Sequence, residues 1–210
     1  MNLEKIWTEC FPEDADFYPF FVRELYKPEN ALLRVEDGEA ASMAHLIPQT
    51  IRGERAVYVF GVATLKKYRG RGYANEIMRL ALEREERLLL IPQTSDLFGF
   101  YRKLGFEEAF YVPEFSVQPK LLSMSRELDF SALNDIYVRE FGGDFERTPE
   151  QWRHFAEIYG IKFWGTGYAV FREGKLIEAA GDGAAQSEAK KPLGMARGIP
   201  NDIYMNLLYY

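Results

Sequence analysis

Apolar residues recur at helical spacing along the first part of the chain. Leu3, Ile6, Trp7 and Cys10 share one face, and Phe17, Phe20, Phe21 and Leu25 share another, which predicts helices over 3–11 and 14–26. A turn, KPEN at 27–30, follows. From Ala31 to Pro48 the pattern reads as two strands around Glu36-Asp37-Gly38, a hairpin signal in which glycine permits positive φ. IRGER at 51–55 is a second turn. AVYVFGVAT at 56–64 is apolar on both faces, as strands in the middle of a sheet are. Residues 72–87 predict a charged amphipathic helix with Ile77, Leu80, Ala81 and Arg84 in register. LLLI at 88–91 is a short buried strand stopped by Pro92. A further helix, capped by Ser95 or Asp96, runs to Gly105, and the chain from Phe106 to Val112 is extended.

The order to residue 115 is therefore α-α-β-β-β-α-β-α-β, whose later strand–helix alternation implies α/β packing with helices on both faces of a sheet. Two more helices are expected beyond it, Ser131–Phe141 and Pro149–Tyr159, the second capped by Thr148 and closed by Gly160. YAVFREGKLIEAAG then reads as a hairpin. Its Phe171-Arg172-Glu173-Gly174-Lys175 lines up with Val35-Glu36-Asp37-Gly38-Glu39, and both hairpins follow two helices, which suggests an internal duplication. A Gly/Ala/Ser-rich loop is expected at 181–189, and YMNLLYY at 204–210 as a closing strand. The reading gives two units, 1–115 and 116–210.

Length and composition fit that division. The chain has 210 residues, enough for one large or two small units, with 47% apolar and 28% charged residues. Sixteen Phe and thirteen Tyr can build a core even in small units. The net charge of −6 argues against a general nucleic-acid binder and mildly favours cationic substrates. Cys10 is alone, which rules out an internal disulfide and a zinc site built on several thiolates; beside Phe11 it reads as a small core residue. MNLEKIWTEC lacks the apolar core of a signal peptide, and no run approaches the ~20 apolar residues that span a bilayer. No membrane association and a cytoplasmic location are expected.

One stretch carries chemistry. Lys66, Lys67, Arg69 and Arg71 place four cations within six residues of an acidic chain, between the strand at 56–64 and the helix from 72. Gly70 and Gly72 let the backbone turn tightly and bring its amides close to a ligand. The helix that follows points its positive end and unpaired amides into the same space. Strand, glycine turn and helix start make an anion site, most naturally for a pyrophosphate. A Walker A loop requires Gly-Lys-Ser/Thr after its glycines, and a dinucleotide fingerprint requires a third glycine where Asn75 stands, so neither applies.

The pattern Arg-x-x-Gly-x-Ala at Arg69, Gly72 and Ala74, after VYVFGVAT, resembles the acetyl-CoA loop of the GNAT superfamily, the Gcn5-related N-acetyltransferases. FYRKLGF at 100–106 is similar to that family's aromatic-Tyr-x-x-x-Gly-Phe segment, and the element order to residue 115 is similar to the GNAT order. IWTECFPEDADFYPFFVRELYKPEN and LIPQTSDLFGFYRKLGF look like a bacterial subgroup in which the catalytic domain precedes a second GNAT-like domain, and PLGMARG with YMNLLYY looks like the tail of such proteins. The resemblance implies a mixed, centrally splayed sheet flanked by helices, followed by a shortened GNAT-like unit. It implies acetyl-CoA as acyl donor. The pantetheine arm would pair with backbone at Val62, Ala63 and Thr64, and the diphosphate would take amides of Arg69, Gly70, Arg71, Gly72, Tyr73 and Ala74, with charge from Arg69 and Arg71. It also implies Tyr101 as the acid that protonates the leaving thiolate. Where the family often has Asn seven residues before that Tyr, this chain has Thr94.

The base is open on the sequence. An amine is mostly protonated at neutral pH and must lose a proton before it attacks. His45, on a strand near where substrates approach in this fold, is one candidate; such a histidine is more often a core or edge residue. The terminal carboxylate of Tyr210 and an ordered water are others. His154 reads as surface, and Glu36 and Asp37 as turn residues. The expectation is direct, sequential acetyl transfer to an amine of a small molecule or peptide. The alternative is a non-catalytic acyl-CoA sensor whose second unit contacts partners. An aromatic-rich second unit could pack within the chain or across a homodimer.

Overall fold

The computed structural model describes residues 3–206 and 209. Helix α1 (Leu3–Cys10) buries Leu3, Ile6 and Trp7, as the spacing predicts. The next stretch is not the single helix expected over 14–26. It breaks into a 3-10 turn (Pro12–Phe17), one α turn, α2 (Tyr18–Phe20), and a π turn (Phe21–Leu25). Pro12 and Pro19 explain the break, because neither carries an N–H and the helical ladder restarts at each.

Strands β1 (Ala31–Glu36), β2 (Glu39–Ile51) and β3 (Glu54–Thr64) follow, then α3 (Tyr73–Arg84), β4 (Leu88–Leu90), α4 (Ser95–Arg102) and β5 (Glu107–Val117). Next come α5 (Pro119–Leu122), α6 (Phe130–Phe141), α7 (Pro149–Ile158), β6 (Gly160–Phe163), β7 (Gly167–Arg172), β8 (Lys175–Gly181) and β9 (Ala184–Arg197). The strands form a mixed six-stranded sheet, β1-β2-β3-β4-β9-β5, and a three-stranded sheet, β6-β7-β8. The chain divides into two compact units. The first comprises residues to Gln49, Arg55–Glu107 and Met195–Ile199; the second comprises Thr50–Glu54, Glu108–Gly194 and residues from Pro200 on. Residue 115, the end of the first unit as read from sequence, lies inside β5.

In the first unit, β1 and β2 are antiparallel and β3 and β4 parallel. The main core joins Leu32, Leu46, Val57, Val59, Ile77, Met78, Leu88, Leu90, Phe106 and Met195. On α3 the buried face is Ile77, Met78 and Ala81, while Leu80, expected in the apolar register, is 36% exposed. The buried face is rotated toward Met78, which joins the core cluster in place of Leu80. The segment expected as a loop at 181–189 enters β9 at Ala184, and β9 supplies the closing strand expected from 204–210. Leu88, Leu89 and Leu90 pair with Arg197, Ala196 and Met195. Ladder pairing outweighs the weak strand preference of Ala, Gln and Ser. Residues 203–206 have no regular structure, and the rest of the expected strand falls partly outside the described residues.

The second unit repeats one feature of the first closely. The β1–β2 turn has Asp37 and Gly38 at φ 52° and 77°, and the β7–β8 turn has Glu173 and Gly174 at 51° and 78°. The register slips once in each hairpin, between Arg34 and Val35 and between Val170 and Phe171, three residues before the turn glycine's predecessor. The likeness stops there, because β7 is preceded by β6, where β1 follows a 3-10 turn, and no glycine turn and helix follow β9 among the described residues as they follow β3. Helix α6 is capped by Asp129, and α7 opens with a Thr148–Gln151 capping box. His154, expected on the surface, is 3% exposed, with a ring nitrogen 3.1 Å from the Tyr209 hydroxyl. The apolar face of α7 carries it inward beside Trp152 and Phe155.

Candidate active site

The strands part where the pattern requires an opening. β3 pairs with β4 only at Val57↔Leu88 and Tyr58↔Leu89, and β4 ends at Leu90 while β3 runs on to Thr64. Within that extension Gly61 sits at φ 62°, a left-handed conformation that any Cβ disfavours and that marks a bend in the strand. The β4-facing edge of β3 past Val59 therefore has no strand partner among the described residues.

Of the residues expected along that edge, Val62 is half-buried against the core. The Ala63 carbonyl accepts a 2.7 Å bond from the Ser42 hydroxyl. The Thr64 carbonyl accepts from Arg69 Nε at 3.0 Å and from the Cys10 thiol at 3.4 Å, and its hydroxyl lies 2.8 Å from Ser42 Oγ. Two of the three carbonyls expected to meet a ligand thus already hold side chains: that of Ala63 has one side-chain donor, and that of Thr64 has two, which occupy both of its lone pairs. Cys10 is half-buried rather than core, and its burial raises the thiol above its usual range.

The turn has the shape the glycines predict. A 3-10 turn at Lys66–Tyr68 leads to Gly70 at φ 79° and Gly72 at φ 85°, and α3 starts at Tyr73 with no side-chain cap. The first intrahelical bond runs from the Glu76 N–H to the Gly72 carbonyl at 3.0 Å, so the amides of Tyr73, Ala74 and Asn75 begin the helix without a carbonyl to meet. A Cβ at Gly70 or Gly72 would find nothing within 4 Å, which leaves open space over the turn. An open hollow of about 590 Å³ runs along the exposed face of α3, lined by Gly72, Asn75, Glu76, Arg79, Leu80 and Glu83. The glycine turn and the uncapped helix start fit a bound diphosphate.

The four cations do not act alike. Arg69 is folded back onto Thr64, and the Lys66 amide is bonded to Glu9 at 2.6 Å. Lys67 pairs with Glu39. The Arg71 guanidinium lies over the Tyr68 ring, 5.2 Å from its centroid. Arg34 on β1 crosses to the first turn of α3, 5.0 Å over the Tyr73 ring and 3.6 Å from Glu76. Sequence reading missed Arg34, Glu39 and Tyr68, because their partners come from distant segments and no local pattern marks them.

Tyr101 projects from α4 into the core cluster that contains Val59 and Leu90, the residues where the strands part. It is 5% exposed, its ring sits 5.0 Å from Phe100 and 6.0 Å from Phe106, and burial pushes its pKa up to about 12. Gly105, at φ 82°, ends the helix, and the Phe106 amide returns to the Tyr101 carbonyl at 3.2 Å. Thr94, not Ser95 or Asp96, occupies the cap position of α4.

His45 lies on β2, 1% exposed, with Phe21 and Tyr26 at 4.7 and 5.2 Å, edge to face. Neither ring nitrogen has a hydrogen-bond partner, and burial lowers its pKa to about 4. The Tyr210 carboxylate lies outside the described residues.

Residues 3–109, just over half of the chain, match the family model described as an acetyltransferase (GNAT) domain. The chain belongs to the GNAT acetyltransferase family. No curated protein matches it. Among solved structures it is similar to a putative acetyltransferase from Pyrococcus horikoshii, with 13% identity and a TM-score of 0.65 over 95% of this chain and 86% of that one. It is similar to a GCN5-related N-acetyltransferase from Anabaena variabilis, with 13% identity and a TM-score of 0.58 over 93% and 69% of the two chains. A probable N-acyltransferase from Enterococcus faecalis matches at 16% identity and a TM-score of 0.60, over 92% and 68%. At these identities the likeness is one of fold, and each match extends beyond the 3–109 region.

Proposed function

We propose that this GNAT protein is an N-acetyltransferase that binds acetyl-CoA across the opening between β3 and β4 and passes its acetyl group directly to an amine. The observation that carries the reading is the conjunction, in one unit, of a parting strand pair, a glycine turn at 69–74 ahead of an uncapped helix, and a buried phenol behind the parting. Amides from Arg69 to Ala74 would hold the diphosphate, Arg71 would add charge, and backbone at 62–64 would meet the pantetheine arm.

In the reaction the amine nitrogen attacks the thioester carbonyl carbon, the C–S bond breaks, and the sulfur leaves as a thiolate. Tyr101 would give a proton to that sulfur. Burial keeps its phenol protonated across the physiological range, and a thiolate formed beside it (ordinarily of pKa about 8–10) is raised by the same desolvation. His45 is a poor base for an ammonium group, because its ring is sealed by aromatics and holds a proton only below about 4. Water is the better acceptor for the amine's proton. The acceptor itself is an amine of a small molecule or peptide.

A second reading, a non-catalytic acyl-CoA sensor, is favoured by the sealing of His45. One experiment separates the two. Free thiol is measured while acetyl-CoA and a panel of amines are incubated with the protein and with Tyr101→Phe. An enzyme releases thiol with at least one amine, and the variant loses about 100-fold in kcat with CoA binding kept. Binding without turnover on any amine is the sensor's result.

A further inference from the structure

We infer that Tyr68 is the positioning residue of the diphosphate turn, tied by its hydroxyl to the carboxylates of the β1–β2 hairpin and carrying the turn's cations on its ring. The inference rests on the reading of residues 69–74 as the diphosphate site. Between Lys66 and Gly72 only Tyr68 is buried, at 2% exposure, while its neighbours on both sides stand in solvent. With Leu65 just before it, it is the attachment of an otherwise exposed stretch to the body of the unit.

The attachment is polar at its tip. The Tyr68 hydroxyl lies 2.9 Å from Glu39 Oε1 and 3.0 Å from Asp37 Oδ2. A phenol has one proton to donate, so it serves one carboxylate at a time and two acceptors compete for it. Two cations offset the charge gathered there: Lys5 and Lys67 both bond Glu39. Asp37 is fixed by the left-handed turn it occupies with Gly38, so the tip is fastened to a stiff element.

The ring then does separate work. Lys67 Nζ is 4.7 Å and the Arg71 guanidinium 5.2 Å from its centroid. A hydroxyl that donates to a carboxylate enriches the ring in electrons and strengthens its hold on both cations. Arg71 is thereby kept over the turn, and the amides of 70–74 are kept aimed outward before any ligand arrives. Preorganisation of this kind lowers the ordering that binding would otherwise demand.

The test uses the full chain, CoA as probe in calorimetry, and acetyl-CoA with a turned-over amine in kinetics. Tyr68→Phe keeps the ring and loses the tether; Tyr68→Leu loses both. Tyr68→Phe is expected to raise the Kd for CoA and the KM for acetyl-CoA by about 5- to 10-fold, with kcat at saturation within about twofold and the melting temperature little changed. Glu39→Gln leaves the hydroxyl two acceptors, the amide oxygen and Asp37, so it is expected to weaken CoA less than Tyr68→Phe, and the double variant to be no worse than Tyr68→Phe alone. A Kd in Tyr68→Phe equal to wild type overturns the inference, as does weakening that only follows a loss of folded protein. Wild-type protein that gives no heat with CoA overturns the site itself, and the positioning role with it.

Discussion

Arg147 and Glu178 form a two-pronged ion pair with no exposed side-chain surface, Nη1 to Oε1 at 2.6 Å and Nη2 to Oε2 at 2.8 Å. Glu178 accepts two further bonds, from the Tyr168 and Tyr204 hydroxyls at 2.7 and 2.8 Å. The guanidinium lies 3.7 Å over Tyr137 and faces Trp152 and Phe155. Glutamate thus has four donors, and arginine is held among rings. Removing one partner strands a charge that cannot reach water. Glu178→Gln is expected to destabilise the protein by roughly 3–5 kcal/mol in urea unfolding, while replacing both partners with Met and Leu recovers most of the loss. If the single variant unfolds at the wild-type midpoint, the pair is not what holds this core.

His45 gives a pH dependence with a definite sign. Its folded pKa, about 4, lies below the ordinary 6.5, so the unfolded chain binds the proton first. Stability from this group is complete above pH 6.5 and falls as pH drops toward 4. At about 1.4 kcal/mol per pH unit, the gap between 6.5 and about 4 amounts to a loss of about 3 kcal/mol. Urea midpoints measured from pH 7.5 to 4.5 should fall in the wild type and flatten in His45→Phe.

Gly72 at φ 85° has free space around it, so its constraint is the backbone and not crowding. Gly72→Ala should lower stability by about 1 kcal/mol through left-handed strain. It should weaken CoA binding more than that figure implies, since the amides of the turn shift with the backbone. Calorimetry beside thermal unfolding reads the two effects separately.

Gly198, at φ 68° just past β9, is crowded as well as left-handed. A Cβ there would stand 2.5 Å from the Glu86 carbonyl, which cannot yield as a side chain does. Gly198→Ala should cost roughly 2–3 kcal/mol. Hydrogen exchange should show the opening concentrated at β4, whose residues pair with Met195–Arg197.

Much of the first unit was readable because its signals are local. The period of apolar residues marked β1 to β4 and the helices between them, and Gly70 and Gly72 marked the turn, since positive φ is a property of the residue itself. The Tyr101 segment was readable for the same reason: a short helix, a closing glycine and an extended strand follow in order. The broken helix over 12–25 was not, because apolar spacing does not register what two prolines do to the ladder.

What only the tertiary structure decided depends on partners far apart in sequence. Ala184–Arg197 is poor strand sequence and becomes β9 because β4 and β5 offer it edges. Arg69 and Arg71 are alike in the sequence, yet one is spent on the Thr64 carbonyl and the other rests on Tyr68. His45 is a titratable residue in the sequence and a neutral one in the fold, since desolvation is set by the rings around it and not by its neighbours in the chain. Residue type and order determined which elements form and where an anion could sit; packing decided which charges remain available to meet it.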